Sequence, residues 1–302
     1  MRRRETWSGR MRCVGSMGRN RDSMKKKIAI LAALSCIACA AVLVLAGCSG
    51  SGTSKSDAND NADRTKLIVG FDQDFPPYGY VGDDGKFTGF DLDLAAETAA
   101  RNGWEIEYKP IDWDAKDLEL SSGSIDCIWN GFTIEGREDG YTFTDPYMDN
   151  SQVIVTRSDS GISNLSDLAG KTVLTQADSA AYNLLKAGGD QEALAQTFKS
   201  LQTTPDYNTA FMELESGAVD AVAIDQPVAK FQTAQKGDTY TILDETLSSE
   251  HYGVGFQLGN TQLRDQVEKT LKQMTADGTV KKICEKYADQ GISYDQWVLP
   301  AA

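Results

Sequence analysis

Among the side chains able to bind or react, Arg137 and Asp225 carry opposite charges at positions that suggest a use for them. Arg137 follows the run Asn130-Gly-Phe-Thr-Ile134, and its planar fork can make two charge-assisted hydrogen bonds to a carboxylate. On a surface the same residue would pair with Glu135 or Glu138 instead. Asp225 closes the apolar run Ala221-Val-Ala-Ile224, where it either sets a counter-charge against an ammonium or forms a turn. Ser179-Ala180 opens a helix-like stretch whose free backbone N–H groups and hydroxyl favour an anion, and Ser179 can cap that helix at the same time. Motifs for other chemistries are missing. The chain has one histidine, His251, and no clustered Cys/His, which argues against zinc. It has neither a Gly-Lys-Ser/Thr phosphate loop nor a Gly-x-Ser-x-Gly elbow. No metal or cofactor is expected.

Elements must bring these residues together, and an internal echo indicates how. Glu119-Leu-Ser-Ser-Gly-Ser-Ile-Asp-Cys-Ile128 is matched by Glu213-Leu-Glu-Ser-Gly-Ala-Val-Asp-Ala-Val222. Each copy reads as a helix closed by a glycine, Gly123 or Gly217, and then a short apolar strand. Five places beyond Asp126 lies Gly131, and five places beyond Asp220 lies Asp225, so both emerge at strand ends. A second echo, Lys66-Leu-Ile-Val-Gly-Phe71 and Lys171-Thr-Val-Leu-Thr175, gives each half an opening strand, with helices to follow over 91–102, stopped by Gly103, and over 180–186. Strands alternating with helices predict an α/β fold of two lobes, each with a mainly parallel sheet. Ligands in such sheets lie beyond the carboxyl ends of the strands. Roughly 240 residues are available for the folded part, enough for two medium domains.

The N-terminal part is of another kind. Met24-Lys-Lys-Lys27 precedes an apolar stretch over 28–46 and the run Leu45-Ala-Gly-Cys48, which is the order of a secretory signal: basic flank, apolar core, small-residue cleavage site. The stretch is also long enough to span a bilayer, but a spanning helix has no need of Leu-Ala-Gly-Cys at its end. That run resembles the lipobox of bacterial lipoproteins, which implies a signal segment over 1–47 and a diacylated Cys48 as the mature N-terminus. The basic residues before Met24 read either as an extended signal or as a frame begun too early, with Met24 the true start. Residues 48–64 are rich in Gly, Ser, Asp and Asn and read as a lipidated, flexible tether. The whole chain has 30 Lys and Arg against 44 Asp and Glu; without 1–47 the balance is 20 against 42, a net of −22. Such a charge keeps an exported protein soluble and argues against nucleic acid as a partner. Of six cysteines, Cys48, Cys127 and Cys284 remain after processing, so at most one disulfide is available. Cys127 and Cys284 lie in apolar strand-like and helix-like runs and are expected as buried thiols.

From about Lys66 to the C-terminus the chain resembles the polar amino-acid-binding proteins of ABC importers. The resemblance is carried by Gly70-Phe-Asp-Gln-Asp-Phe-Pro-Pro-Tyr78, Gly89-Phe-Asp-Leu-Asp93, Leu120-Ser-Ser-Gly-Ser-Ile-Asp126, Asn130-Gly-Phe-Thr-Ile134 with Arg137, Phe143-Thr-Asp-Pro-Tyr147 and Asp220-Ala-Val-Ala-Ile-Asp225, six motifs in order. It implies a periplasmic-binding-protein-like trap with helices flanking both sheets and two crossover strands as a hinge, around 152–156 and 252–255. Lobe 1 is then 65–153 plus 253–302, and lobe 2 is 154–252. The function implied is that of a monomeric lipoprotein on the extracytoplasmic face of the cell membrane. It would deliver a free L-amino acid to an ABC permease and its ATPase.

A free amino acid presents a carboxylate and an ammonium, and both must be satisfied when they leave water. The resemblance gives the carboxylate to Arg137, with Ser179 and Ala180 from the second lobe. Asp225 takes the ammonium together with the Gly131 carbonyl and the Thr133 hydroxyl. Arg137 falls one residue earlier than in the commonest pattern, so Ile134-Glu-Gly-Arg137 must turn tightly, and Gly136 can supply the backbone angles. Phe75 and Trp113 match positions that stack rings on the ligand's side chain, while Tyr78 and Trp129 are as readily core. Asp72 matches a position that meets a side-chain donor, and Gln176 adds a polar group from the second lobe. Arginine, lysine, histidine or glutamine fits that set. Two rival readings stay open. One is a cyclohexadienyl-dehydratase-like enzyme of the same fold, with Glu250 or Asp72 as general acid. The other is a sensing module without transport.

Overall fold

The two echoed segments fold alike, and for the same reasons. The computed structural model describes residues 64–302; the signal segment expected over 1–47, Cys48 and all but the last residue of the expected tether lie outside the described residues. Helices Lys116–Ser121 and Tyr207–Ser216 each run into a glycine of positive φ, Gly123 at 74° and Gly217 at 78°. The Glu119 carbonyl accepts the N–H groups of Ser124 and Ile125, and the Glu213 carbonyl accepts those of Ala218 and Val219. Asp126 then takes the Ile68 N–H on its side chain at 2.7 Å, as Asp220 takes that of Thr172 at 2.7 Å. Their own N–H groups donate back to the Ile68 and Thr172 carbonyls. Each aspartate thus pins its strand to the strand that opens the sheet.

In the first sheet Lys66–Phe71 pairs in parallel with Glu105–Pro110 on one side and with Cys127–Ile128 on the other. Gly255–Gln257 and Tyr141–Phe143 complete it in antiparallel sense. In the second, Thr172–Gln176 lies between Ser200–Thr204 and Ala221–Asp225, all parallel. Met148–Arg157 runs antiparallel to Ala221–Asp225 and also pairs with Tyr240–Ile242 and Ser248–Tyr252. The chain leaves the first sheet after Phe143, enters the second at Met148, and returns between Tyr252 and Gly255. Residues 152–156, where the first crossing was expected, pair with Ala221–Asp225 inside the second sheet. The passage comes earlier because Met148–Arg157 is one unbroken ten-residue strand.

Strand Ala221–Asp225 is buried along its whole length, as expected of a strand covered on both faces. Val222 and Ile224 join the main core, and Ala221 and Ala223 join a second cluster on the other face. Helix Phe90–Asn102 buries Phe90, Leu92, Leu94, Ala95 and Ala99. It begins at Gly89, where a Cβ would stand 2.1 Å from the Tyr78 carbonyl oxygen. Only glycine allows that approach, which ties the Pro-Pro-Tyr turn to the helix through the bonds Phe90 N–H to Pro77 O and Asp91 N–H to Tyr78 O. Cys127 and Cys284 are buried free thiols. No helix among the described residues is long and apolar enough to cross a membrane.

Candidate functional site

The carboxyl ends of the parallel strands of both sheets converge. Asp72 follows Lys66–Phe71, Asn130 and Gly131 follow Cys127–Ile128, and Gln176 and Asp225 end their own strands in the other sheet. Between them lies a small cavity. Phe75, Trp113, Gly131, Thr133 and Arg137 line it from one side, and Gln176, Ser179, Ala180 and Asp225 from the other. Of the expected site residues only Asp72 is absent from the lining. It stands one bond behind, accepting Gln176 Nε2 at 2.6 Å, and faces a wider cleft that shares Trp113.

Arg137 is buried, which overturns its reading as a surface residue paired with Glu135 or Glu138. Its guanidinium lies 5.0 Å from the Phe132 ring centroid and donates to the Thr133 carbonyl at 3.1 Å and the Asp178 carbonyl at 3.2 Å. Among the described residues no carboxylate pairs with it. The tight turn takes the expected form: Gly136 has φ 77°, and the Arg137 N–H donates to the Ile134 carbonyl at 3.0 Å. Ser179 caps helix Ala180–Leu185 by accepting the Tyr182 N–H at 3.1 Å, so capping and cavity lining coexist.

Asp225 is no turn former either. Its Oδ1 accepts from Asn150 Nδ2 at 2.8 Å, Gln152 Nε2 at 2.7 Å and the Tyr252 hydroxyl at 2.7 Å. Burial, and next the neighbouring Glu250 carboxylate, push the Asp225 carboxyl above its ordinary range. Asp72 is pushed up to about 6, with burial outweighing the hydrogen bonds from the Asp74 N–H and Gln176. Tyr78 and Trp129 are wholly buried and lie outside the lining; Tyr78 packs edge-on against Tyr252 with centroids 5.2 Å apart.

Several residues at the site escape a reading of the sequence. Asn130 lines the cavity, accepting the Asp72 N–H at 2.5 Å while its Nδ2 has no partner among the described residues. Asp91 accepts the Gly131 N–H at 2.6 Å and the Tyr147 hydroxyl at 2.8 Å. Both residues sit in motifs already quoted, so the signal was present without its meaning. Lys116 and Asp178 form an ion pair from opposite sides of the cleft, and Asn208 Nδ2 reaches Asp74 at 2.8 Å. Neither pair has any local sequence signature.

Two α/β lobes joined by paired strands, with a cation and an anion facing one small cavity, define a solute trap. The chain belongs to the bacterial extracellular solute-binding proteins, family 3, whose profile matches residues 67–290. It is 31% identical to the L-cystine-binding protein of Escherichia coli over 234 residues, 76% of this chain and 85% of that one. It is 30% identical to the arginine-binding extracellular protein of Bacillus subtilis over 270 residues, 87% of this chain and 98% of the relative. Among solved structures, an ABC uptake transporter substrate-binding protein of Streptococcus pneumoniae with bound histidine superposes with a TM-score of 0.70 at 31% identity. That superposition covers 76% of this chain and 94% of the other.

Proposed function

We propose that this chain captures a free polar amino acid outside the cytoplasm and delivers it to an ABC permease and its ATPase, acting as a monomer held to the membrane by lipid on Cys48. The observation that carries the reading is the placement of Arg137 and Asp225 on opposite walls of one cavity. The ligand carboxylate meets the Arg137 fork with Ser179 and Ala180, and the ammonium meets Asp225, the Gly131 carbonyl and the Thr133 hydroxyl. The side chain lies between Phe75 and Trp113 and points to Gln176 and Asp72. Since Asp72 gains from a positive partner, basic amino acids are favoured, with glutamine next. Lobe 1 (65–147 with 253–302) and lobe 2 (148–252) close about the paired strands, and a ligand that bridges both walls favours the closed form.

A carrier is favoured over a dehydratase because both acids the enzyme would need are already engaged by hydrogen bonds. Asp72 is bonded to Gln176, and Glu250 to Thr133, Asn150 and Gln152. A thermal-shift screen of the amino acids identifies the ligand, because whatever binds only the folded state raises its melting temperature. Calorimetry on Arg137→Ala and Asp225→Ala then tests the site. Each is expected to lose about 2 kcal/mol or more, roughly thirtyfold in Kd. Unchanged affinity in both variants would overturn the assignment, and turnover of prephenate or arogenate would favour the enzyme.

A further inference from the structure

Behind Asp225 stands a second buried carboxylate. Glu250, on the returning strand Ser248–Tyr252, is 4% exposed. Its Oε1 accepts from Asn150 Nδ2 at 2.7 Å, Gln152 Nε2 at 2.8 Å and the Thr133 hydroxyl at 2.8 Å. The same two amide nitrogens donate to Asp225 Oδ1. Each amide therefore uses both of its hydrogens to hold two carboxylates side by side. The carbonyl oxygens of these amides, Asn150 Oδ1 and Gln152 Oε1, are buried with no partner among the described residues. The network has acceptors in excess and lacks a positive charge.

Among the described residues the surroundings do not supply one. Every hydrogen bond to the two carboxylates comes from a neutral group: Asn150, Gln152, Thr133, Tyr252 or Ser248. The Tyr78, Tyr207 and Tyr252 phenols around Asp225 are held neutral by burial. Asp91, which also acts on Tyr78, adds a third acid. Arg137, across the cavity, is engaged with two carbonyls. His251, next in sequence to Glu250, is half-exposed against Glu135 and Asp149. Two buried carboxylates that share donors oppose each other's charge, and Asp225 is raised by burial first and by Glu250 next.

We propose that Asp225, held beside Glu250 by the shared amides, carries a proton in the unliganded protein, and that the ammonium of an incoming amino acid displaces it into solvent. The inference rests on the amino-acid reading, since it needs an ammonium at Asp225. The ligand arrives as R–NH₃⁺ and keeps its three hydrogens. One carboxyl O–H breaks, its proton goes to the buffer, and the pair passes from one negative charge to two, with the ammonium restoring the balance. Glu250 is thus a positioning residue: acting through Asn150 and Gln152, it couples affinity to pH. Binding tightens as pH rises towards neutrality, by up to about tenfold per pH unit while a whole proton is released.

Calorimetric titration of the full chain with L-arginine, L-glutamine and L-cystine, at about pH 6 in phosphate, MES and imidazole, counts the proton. The binding enthalpy is expected to vary with the ionisation enthalpy of the buffer, with a slope near one proton released for any of the three that binds. In Glu250→Gln, which keeps the shape and leaves Asp225 without a rival charge, the slope is expected to fall measurably below that of the parent, while burial keeps part of it. Binding by the unaltered chain with one enthalpy in all three buffers overturns the inference and leaves the amino-acid reading standing. An unchanged slope in Glu250→Gln overturns the part given to Glu250. No heat with these three, together with no thermal shift by any amino acid, overturns the amino-acid reading and this inference together.

Discussion

Asp91 is not itself part of the cavity lining, yet it fixes one of the walls. Its carboxylate receives the N–H of Gly131, which sits at φ 58°, where a Cβ would come within 3.0 Å of Phe75 and 3.1 Å of Tyr252. Glycine is required there on both counts: left-handed backbone, and ring edges on either side. Asp91→Ala leaves a buried N–H and the Tyr147 hydroxyl without their acceptor. Urea unfolding is expected to show a loss of about 2–4 kcal/mol. Asp91→Asn keeps an acceptor oxygen, and is expected to retain most of the stability and the ligand site. Equal losses in the two variants would show that the charge of Asp91 matters and its hydrogen bonds do not. Gly131→Ala is expected to cost about 1–3 kcal/mol through the strained backbone alone, and to weaken binding besides, because Phe75 must move.

Between elements, the link most open to test joins helix Lys116–Ser121 to the loop before helix Ala180–Leu185. Lys116 is buried, with its ammonium 5.5 Å from the Trp113 ring centroid, and pairs with Asp178 from the other side of the cleft. Asp178 holds φ 55°, a conformation aspartate tolerates better than most residues, and its carbonyl receives Arg137. The pair can exist only while the lobes are together. Asp178 is half-exposed, so its contribution is screened to about 1 kcal/mol. Lys116→Met is therefore expected to raise the ligand dissociation rate about fivefold in stopped flow, with little change in association. A dissociation rate within experimental scatter of the parent would show that the pair adds nothing to closure.

That pair also marks where the sequence ceases to be readable. The echoed helices and their terminal glycines were legible because local sequence solves the same local problem twice, whereas the bonds by which Asp126 and Asp220 pin register were not. Arg137 and Asp225 were legible through strand ends and resemblance. Lys116 and Asp178 lie 62 residues apart, and Asn150 and Glu250 lie 100 apart, and no periodicity connects such partners. The first crossing was misplaced for a related reason. Met148–Arg157 is one continuous strand, so nothing within it marks where the connection between sheets ends and the second sheet begins.

At the scale of the whole molecule, acid dominates both the surface and the interior. Residues 48–302 carry a net of −22. Three interior aspartates are raised above their ordinary range by burial: Asp72 to about 6, Asp91 to about 7, and Asp225 with the help of Glu250. A carboxyl raised on folding keeps its proton in the native state after the unfolded chain has lost it near 3.8. The stability it contributes is therefore complete below that value and is lost as pH rises through the folded value, here from about 4 to about 7. Asp91 alone accounts for a few kcal/mol of this, since each tenfold change in proton affinity is worth about 1.4 kcal/mol. Groups displaced the other way, such as Asp277 at about 2 beside Arg101, work in the opposite sense but below this interval. Self-repulsion of the acidic surface has the same sign as the buried acids, but salt separates the two. Exposed charges are screened within about 8–10 Å at ordinary ionic strength, whereas buried carboxyls are screened far less. The unliganded protein is thus expected to melt at a higher temperature near pH 5 than near pH 7.5. The difference should persist in roughly 0.5 M salt and shrink in Asp91→Asn. A melting temperature that rises over this interval, or a fall that high salt abolishes, would place the acid strain on the surface and remove the buried carboxyls from the account of stability.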